Sequence, residues 1–176
     1  MNKTLMILAH PEIEKSIGNK IISEQFANKK NTEVRHLNKL YPNFKINVKA
    51  EQTALLKADT IIFQFPLFWY STPAILKEWI DQVFLYGFAF GADSYNLKNK
   101  KLIVSFTIGS PIKDYPKEIV QKITFPFRGL AKYCKMEYQS ELFCNDINGY
   151  TSEAKENAIL NAGNHSQQLF ELINDK

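Results

Sequence analysis

Residues Thr60 to Phe65 read TIIFQF, with apolar and β-branched side chains on consecutive positions rather than alternate ones. A run of this kind is a strand buried on both faces, which requires covering layers above and below it. The run meets Pro66 and then Phe68, Trp69 and Tyr70, which fall in the turn leaving the strand, where small polar residues are usual. Pro73 then opens an amphipathic helix bearing Ile75, Leu76, Trp79, Ile80, Val83 and Phe84 on one stripe. A proline costs nothing in a first helical turn, because the missing N–H would have no partner there. Large aromatics in a turn need something flat to lie against, either a ligand ring or another subunit. We take the ligand reading.

The rest of the chain repeats strand and helix in alternation. Thr4 to Ala9 (TLMILA) is a second buried strand, ending in His10-Pro11. Ser16 is placed to cap a helix whose apolar face is Ile17, Ile21, Ile22 and Phe26. Thr32 to Leu37 alternates polar and apolar, as a strand nearer a sheet edge does, and after a loop with Tyr41-Pro42 and Phe44 a short helix ends near Lys57. A long connection, GFAFGADSYNLKNK, precedes a strand over Lys101 to Phe106. A helix is expected from about Phe127 to Cys134, a last strand over Tyr138 to Cys144, and a terminal helix capped by Thr151 or Ser152 and weakened by Gly163. This alternation predicts an α/β three-layer sandwich around a five-stranded parallel sheet in the order 2-1-3-4-5, the flavodoxin-like arrangement. No GxGxxG follows the first strand, which argues against a Rossmann dinucleotide fold.

Composition narrows the function classes. The 176 residues fit one domain, and thirteen Phe with eight Tyr exceed what a core of this size needs, pointing to a binding cleft. The net charge is +4, but the lysines are scattered rather than striped and read as solvated, so no nucleic acid partner is expected. Cys134 and Cys144 lie outside any CxxC or Cys/His spacing and read as buried small hydrophobes in a reducing compartment, with a disulfide as the alternative. No metal ligand cluster is visible. The N-terminal apolar run is too short for a signal peptide, and the stretch from Ile61 to Trp79 is interrupted by Gln64, Pro66, Pro73 and Lys77, so a cytoplasmic protein is expected.

In a 2-1-3-4-5 sheet, ligands lie beyond the carboxyl ends of strands one, three and four. The three loops there are His10–Asn19, Pro66–Tyr70 and Thr107–Tyr115. The first leads to a helix N-terminus, whose free amides favour an anion, with Ser16, Asn19 and His10 as further donors. As an alternative, Ser16 is only a helix cap and His10 a loop residue. The second supplies flat aromatic surface, unless it is a core or subunit contact. The third, TIGS, lets backbone approach a planar ligand closely, or is an ordinary strand-end turn. Together they describe a site for a flat heterocycle with a phosphate tail, which suits flavin mononucleotide.

AHPEIEKSIGNK resembles the AHPxxxxSxxN segment of the flavodoxin-like NAD(P)H:quinone oxidoreductases. FQFPLFWYSTPAILKEWIDQVFLYGFAFG is similar to their long strand-three signature, TIGS to their TTGG, and KYCKMEY to a late YCG-x-x-Y segment. The LYPNF and AEQTAL segments look closest to the branch containing the ancillary flavoprotein of the glutathione-regulated potassium-efflux system. The resemblance implies a homodimer that uses FMN, with FAD as the alternative, and takes hydride from NADH or NADPH to a quinone-type acceptor. It also allows a membrane transporter as partner, which would hold the protein at the membrane periphery. It implies that Ser16, Ile17, Gly18 and Asn19 hold the phosphate beside His10. Pro66, Leu67, Phe68 and Trp69 would line the ribityl chain and ring. Thr107, Ile108, Gly109 and Ser110 would meet the pyrimidine edge, and Tyr115 would be catalytic. Ile108 and Ser110 depart from TTGG, and no histidine lies between Tyr115 and Cys134 to assist the tyrosine.

Overall fold

The computed structural model describes residues 2–91 and 93–174. Strands β1 (Thr4–Leu8), β2 (Thr32–His36), β3 (Thr60–Pro66), β4 (Lys101–Thr107) and β5 (Glu137–Cys144) form one parallel sheet. Their order is β2-β1-β3-β4-β5, as expected from the alternation of elements. Six helices accompany it: α1 (Gly18–Ala27), α2 (Leu37–Leu40), α3 (Val48–Lys57), α4 (Ala74–Val83), α5 (Lys117–Tyr133) and α6 (Ser152–Asn174). No helix among the described residues is long and apolar enough to cross a membrane.

Every residue of β1 and β3 is buried, and alternate side chains feed two cores. Ile7, Phe63, Phe65, Val104 and Phe106 pack with Leu76 and Trp79 of α4 and Phe127 of α5. Met6, Ile62 and Ile103 point the other way, onto Ile22 and Phe26 of α1 and Leu169 and Phe170 of α6. Each such side chain contributes about 1.5–3 kcal/mol relative to exposure. Two-sided burial therefore drives the chain into three layers.

The structure corrects two boundaries. Helix α5 begins at Lys117, a full ten residues before Phe127, and runs through Pro126. Its buried face, Val120, Thr124, Phe127 and Ala131, keeps helical spacing across the proline, which lies on the exposed side. Residue Leu37 leaves β2 to start the single-turn α2, burying its side chain in the core. Terminal helix α6 is unbroken at Gly163, and Thr151 caps it by accepting the Ala154 amide at 3.1 Å. Both cysteines are free and buried. The 87–100 connection folds back on itself through Gly91, where a side chain would strike the Tyr86 ring, while Ala92 lies outside the described residues.

One polar cluster inside the apolar layer was not foreseen from the sequence. Glu51 of α3 is fully buried and gathers donors from three other segments. Arg35 of β2 brings Nε to both carboxylate oxygens at 3.0 and 2.9 Å and Nη2 to Oε1 at 2.5 Å. Trp79 Nε1 donates to Oε2 at 2.9 Å, and the Tyr41 hydroxyl donates to Oε1. The contact with Glu51 holds the Arg35 guanidinium even further above its usual range. A buried carboxylate survives only because every oxygen is met by such donors.

The aromatic turn after β3 is a two-residue hairpin. Phe68 and Ser71 exchange backbone hydrogen bonds of 2.9 Å in both directions. Trp69 and Tyr70 between them adopt φ of 50° and 61°, the left-handed region that such a turn normally fills with Asn-Gly. Bulky residues pay about 1 kcal/mol or more each for that conformation. Trp69 is 96% exposed, so burial does not offset the strain.

Glu51→Ala should lower the free energy of urea unfolding by about 3–5 kcal/mol, since it leaves Arg35 without its buried counter-charge; a loss below 1 kcal/mol would show that the cluster is not a structural tie. Replacing Trp69-Tyr70 by Asn-Gly should raise the stability of the ligand-free protein by about 1 kcal/mol in the same measurement. An unchanged or lower midpoint would mean that the turn is not strained.

Candidate functional site

Beyond the carboxyl ends of β1, β3 and β4 the connecting loops enclose a cleft of about 270 Å³. His10, Ser16, Ile17 and Asn19 line one side, Pro66, Leu67 and Phe68 the second, and Thr107, Ile108 and Gly109 the third. The three loops singled out in the sequence thus meet in one place. A larger groove of about 740 Å³ opens between α4 and α5 beneath Tyr70. Unlike the smaller cleft, it is not reached by the strand-end loops of β1 and β4.

Four expected residues do not line the cleft. Gly18 lies behind it, where an added Cβ would stand 2.9 Å from Ile147 and 3.2 Å from Thr107, so only glycine permits this approach of α1 to β4. The Ser110 carbonyl accepts the Asp146 amide at 3.1 Å and ties the two loops together. Trp69 stands in solvent at the tip of its turn. Tyr115 packs against Tyr70, with ring centroids 6.1 Å apart, and burial, together with Tyr70 and Asp114 nearby, pushes its phenol above the usual range. Sequence reasoning also missed residues that do line the cleft: Lys15, and Ile147, Asn148 and Gly149 from the loop after β5. Strand five adjoins strand four in the expected order, so the switch-point argument could have included that loop.

The donors are specific. Ser16 is extended, Ile17 is already helical, and Ser16 Oγ accepts the Asn19 amide at 3.2 Å, which is the expected cap. The amides of Ile17 and Gly18 donate to no described group, and they sit at the positive end of α1. His10 Nδ1 accepts the Glu12 amide at 3.1 Å, so its neutral ring carries the proton on Nε2. Burial, with a smaller effect from His36, holds its pKa below the usual histidine value, which keeps the ring neutral at pH 7. The ring meets Phe68 edge-on at 6.5 Å.

At the end of β4 the Ile108 amide is committed to the Cys144 carbonyl at 2.9 Å, whereas the amides of Gly109 and Ser110 donate to no described group. The β5 loop braces them: the Ile147 amide donates to the Ile108 carbonyl at 3.0 Å and Asn148 Nδ2 to the Gly109 carbonyl at 3.3 Å. Asn19 links the two donor groups. Its Nδ2 donates to Thr107 Oγ1 at 2.7 Å, and its Oδ1 accepts from Gln64 Nε2 at 2.8 Å. The arrangement presents hydrogen-bond donors from two directions to an acceptor-rich, anionic ligand. Among the described residues no group of three or more His, Cys, Asp or Glu is placed to hold a metal ion.

Comparison with known proteins agrees with this geometry. The family described as having a flavodoxin-like fold matches residues 2–169. The chain is 38% identical over 141 residues to an uncharacterised NAD(P)H oxidoreductase, YrkL, of Bacillus subtilis, covering 77% of this chain and 81% of that protein. It is likewise 38% identical over 139 residues to the glutathione-regulated potassium-efflux ancillary protein KefF of Enterobacter sp., covering 76% and 78%. Among solved structures, general stress protein 14 of Treponema denticola in complex with FMN superposes with a TM-score of 0.85 at 34% identity, covering 97% of this chain and 99% of that one. An NADPH-quinone reductase of P. pentosaceus gives a TM-score of 0.78 at 30% identity, covering 94% and 96%. The chain belongs to the flavodoxin-like NAD(P)H:quinone oxidoreductase family.

Proposed function

We propose that this chain is a flavin-dependent oxidoreductase that binds FMN in the strand-end cleft and transfers hydride from NADH or NADPH to a quinone or related small acceptor. The observation that carries the reading is the pairing of two unspent donor groups at one cleft, lined by Ser16 and Ile17 on one side and Gly109 on the other, each group extended by the next amide in sequence. The Ser16 hydroxyl and the amides of Ile17 and Gly18 suit a phosphate ester. The amides of Gly109 and Ser110, which likewise have no described acceptor, suit the carbonyl-rich edge of a planar ring. Phe68 supplies a flat face between them. The FMN-bound relative supports the choice of ligand, and the NAD(P)H oxidoreductase and quinone reductase relatives support the choice of substrates.

Bound flavin would supply two-electron hydride chemistry, with donor and acceptor using one ring face in turn. The protein's part is to place and polarise. Amides of Gly109 and Ser110 would hold the carbonyl-rich edge of the ring and favour negative charge there. His10 Nε2–H would donate a hydrogen bond to the phosphate, and the positive end of α1 would offset its charge. Phe68 on the cleft wall would offer the ring an aromatic face, and Trp69, held out in solvent at the tip of its strained turn, stands free to meet the incoming acceptor. Tyr115, packed against Tyr70 outside the cleft lining, would reach the accepting oxygen only of an acceptor that extends beyond the cleft; its raised pKa keeps the phenol protonated at neutral pH, as a donor requires. Trp69 and Tyr70, adjacent and both exposed at the turn after β3, support pairing of two copies as a homodimer.

Anaerobic addition of NADH or NADPH to the FMN-reconstituted protein should bleach the flavin, and a quinone should restore its colour. A protein that takes up neither FMN nor FAD would overturn the reading. Ser16→Ala should weaken FMN by about tenfold or more, measured by titration of the ligand-free protein. Phe68→Ala should weaken it by about fivefold through lost ring contact. The relative KefF supports a second reading, in which the protein also binds a potassium-efflux transporter. Co-purification with such a transporter from solubilised membranes tests it, and recovery of the protein without one counts against it.

A further inference from the structure

Two polar residues interrupt otherwise apolar strands at the same level of the sheet. Gln64 of β3 and Ser105 of β4 are register partners, both fully buried, and both point to the layer of α1 and α6. Ser105 Oγ donates to Gln64 Oε1 at 2.5 Å and lies 2.7 Å from Nε2 of His165, which α6 brings down onto the sheet. With the Asn19 contacts already described, they form one file of hydrogen bonds from α6 to the cleft: His165, Ser105, Gln64, Asn19, Thr107.

The file has a direction. Serine owns one hydroxyl proton, and it is spent on Gln64, so Ser105 must accept from His165 Nε2–H. That leaves Nδ1 bare, and Nδ1 is a buried atom with no hydrogen-bond partner among the described residues. The reversed file would put the ring proton on Nδ1 and bury an N–H without an acceptor, which is the costlier defect. Burial also holds His165 at about 4, so the ring is neutral and carries a single proton at pH 7. Gln64 then donates to Asn19 Oδ1, which turns Asn19 Nδ2 toward Thr107 Oγ1 and Ser16 Oγ, the latter at 3.4 Å. Thr107 and Ser16 are thereby fixed as acceptors inside the protein. Neither hydroxyl proton has an acceptor among the described residues, and both residues line the cleft.

We propose that His165, Ser105 and Gln64 are positioning residues: through Asn19 they set the polarity of the Thr107 and Ser16 hydroxyls, so that both deliver a proton into the cleft toward an acceptor-rich ligand. None of the three lines the cleft, and His165 acts from the far helix of the α1–α6 layer. The effect on FMN rests on the flavin reading above; the direction of the file does not.

The first test needs no ligand. Nitrogen-15 correlation spectra of the His165 ring should show the proton on Nε2, and a proton on Nδ1 overturns the proposal. The second is FMN titration, with the melting temperature recorded for each variant. Ser105→Ala and His165→Leu should weaken FMN about five- to tenfold. His165→Gln, whose Nε2 can still donate to Ser105, should return affinity to within about twofold of the parent. In a Thr107→Val background Ser105→Ala should weaken FMN by only about two- to threefold, because one of the two hydroxyls it orients is already gone. Unchanged affinity, failure of the glutamine to rescue, or full additivity with Thr107→Val each overturns the proposal. If Ser105→Ala does not fold, the leucine and glutamine variants of His165 carry the comparison. A parent protein that binds no FMN defeats the flavin reading instead, and the ring tautomer then decides this proposal alone.

Discussion

Burial of β1, β3 and β4 on both faces is the constraint on which the rest of this structure depends. A strand that hides both faces must be covered by helices on each side, and parallel pairing then carries every crossover back over the sheet. The polar loops are thereby gathered at the carboxyl edge, where the cleft forms. The same constraint makes any polar atom inside the layers expensive. Gln64, Ser105 and Glu51 are tolerated only because each is met by partners drawn from different elements. Polar residues in this core therefore act as ties between segments distant in sequence.

Much of the architecture was legible because burial leaves a one-dimensional trace. TIIFQF and KLIVSF announce two-sided strands, the stripe from Ile75 to Phe84 announces α4, and Ser16 announces the start of α1. The resemblance named the family from the long FQFPLFWYSTP segment, and the comparisons bear that family out. Helix α5 was truncated because Pro126 lies in its middle, although Val120, Thr124, Phe127 and Ala131 keep their spacing through it. The Glu51 cluster was not legible, since its partners at 35, 41 and 79 are brought together only by the fold. Gln64 and Ser105 did leave a signal. A polar residue at the same level of two adjacent buried strands marks a pair that must satisfy each other.

The cleft shows how much lies beyond the reach of residue types alone. Sequence reading grouped Trp69 with Phe68, but the hairpin turns Trp69 out to solvent and leaves Phe68 on the wall. It placed Gly18 among ligand contacts but could not show that the same glycine lets Ile147 and Thr107 close over α1. The β5 loop, from which Ile147, Asn148 and Gly149 enter the site, had no distinctive residue type to betray it. Its role is to hold the β4 turn so that two amides stay unspent.

Both outer strands of the sheet carry ion pairs: Arg35 with Glu33 on β2, and Glu141 of β5 with Arg128. Charges along an edge oppose the docking of a further strand, because pairing would strip them of water. The sheet is thus closed at five strands without being rolled into a barrel. The same charges disfavour joining two sheets edge to edge, which leaves helices and loops as the surfaces open to contact. Those are the surfaces where the exposed aromatic side chains stand.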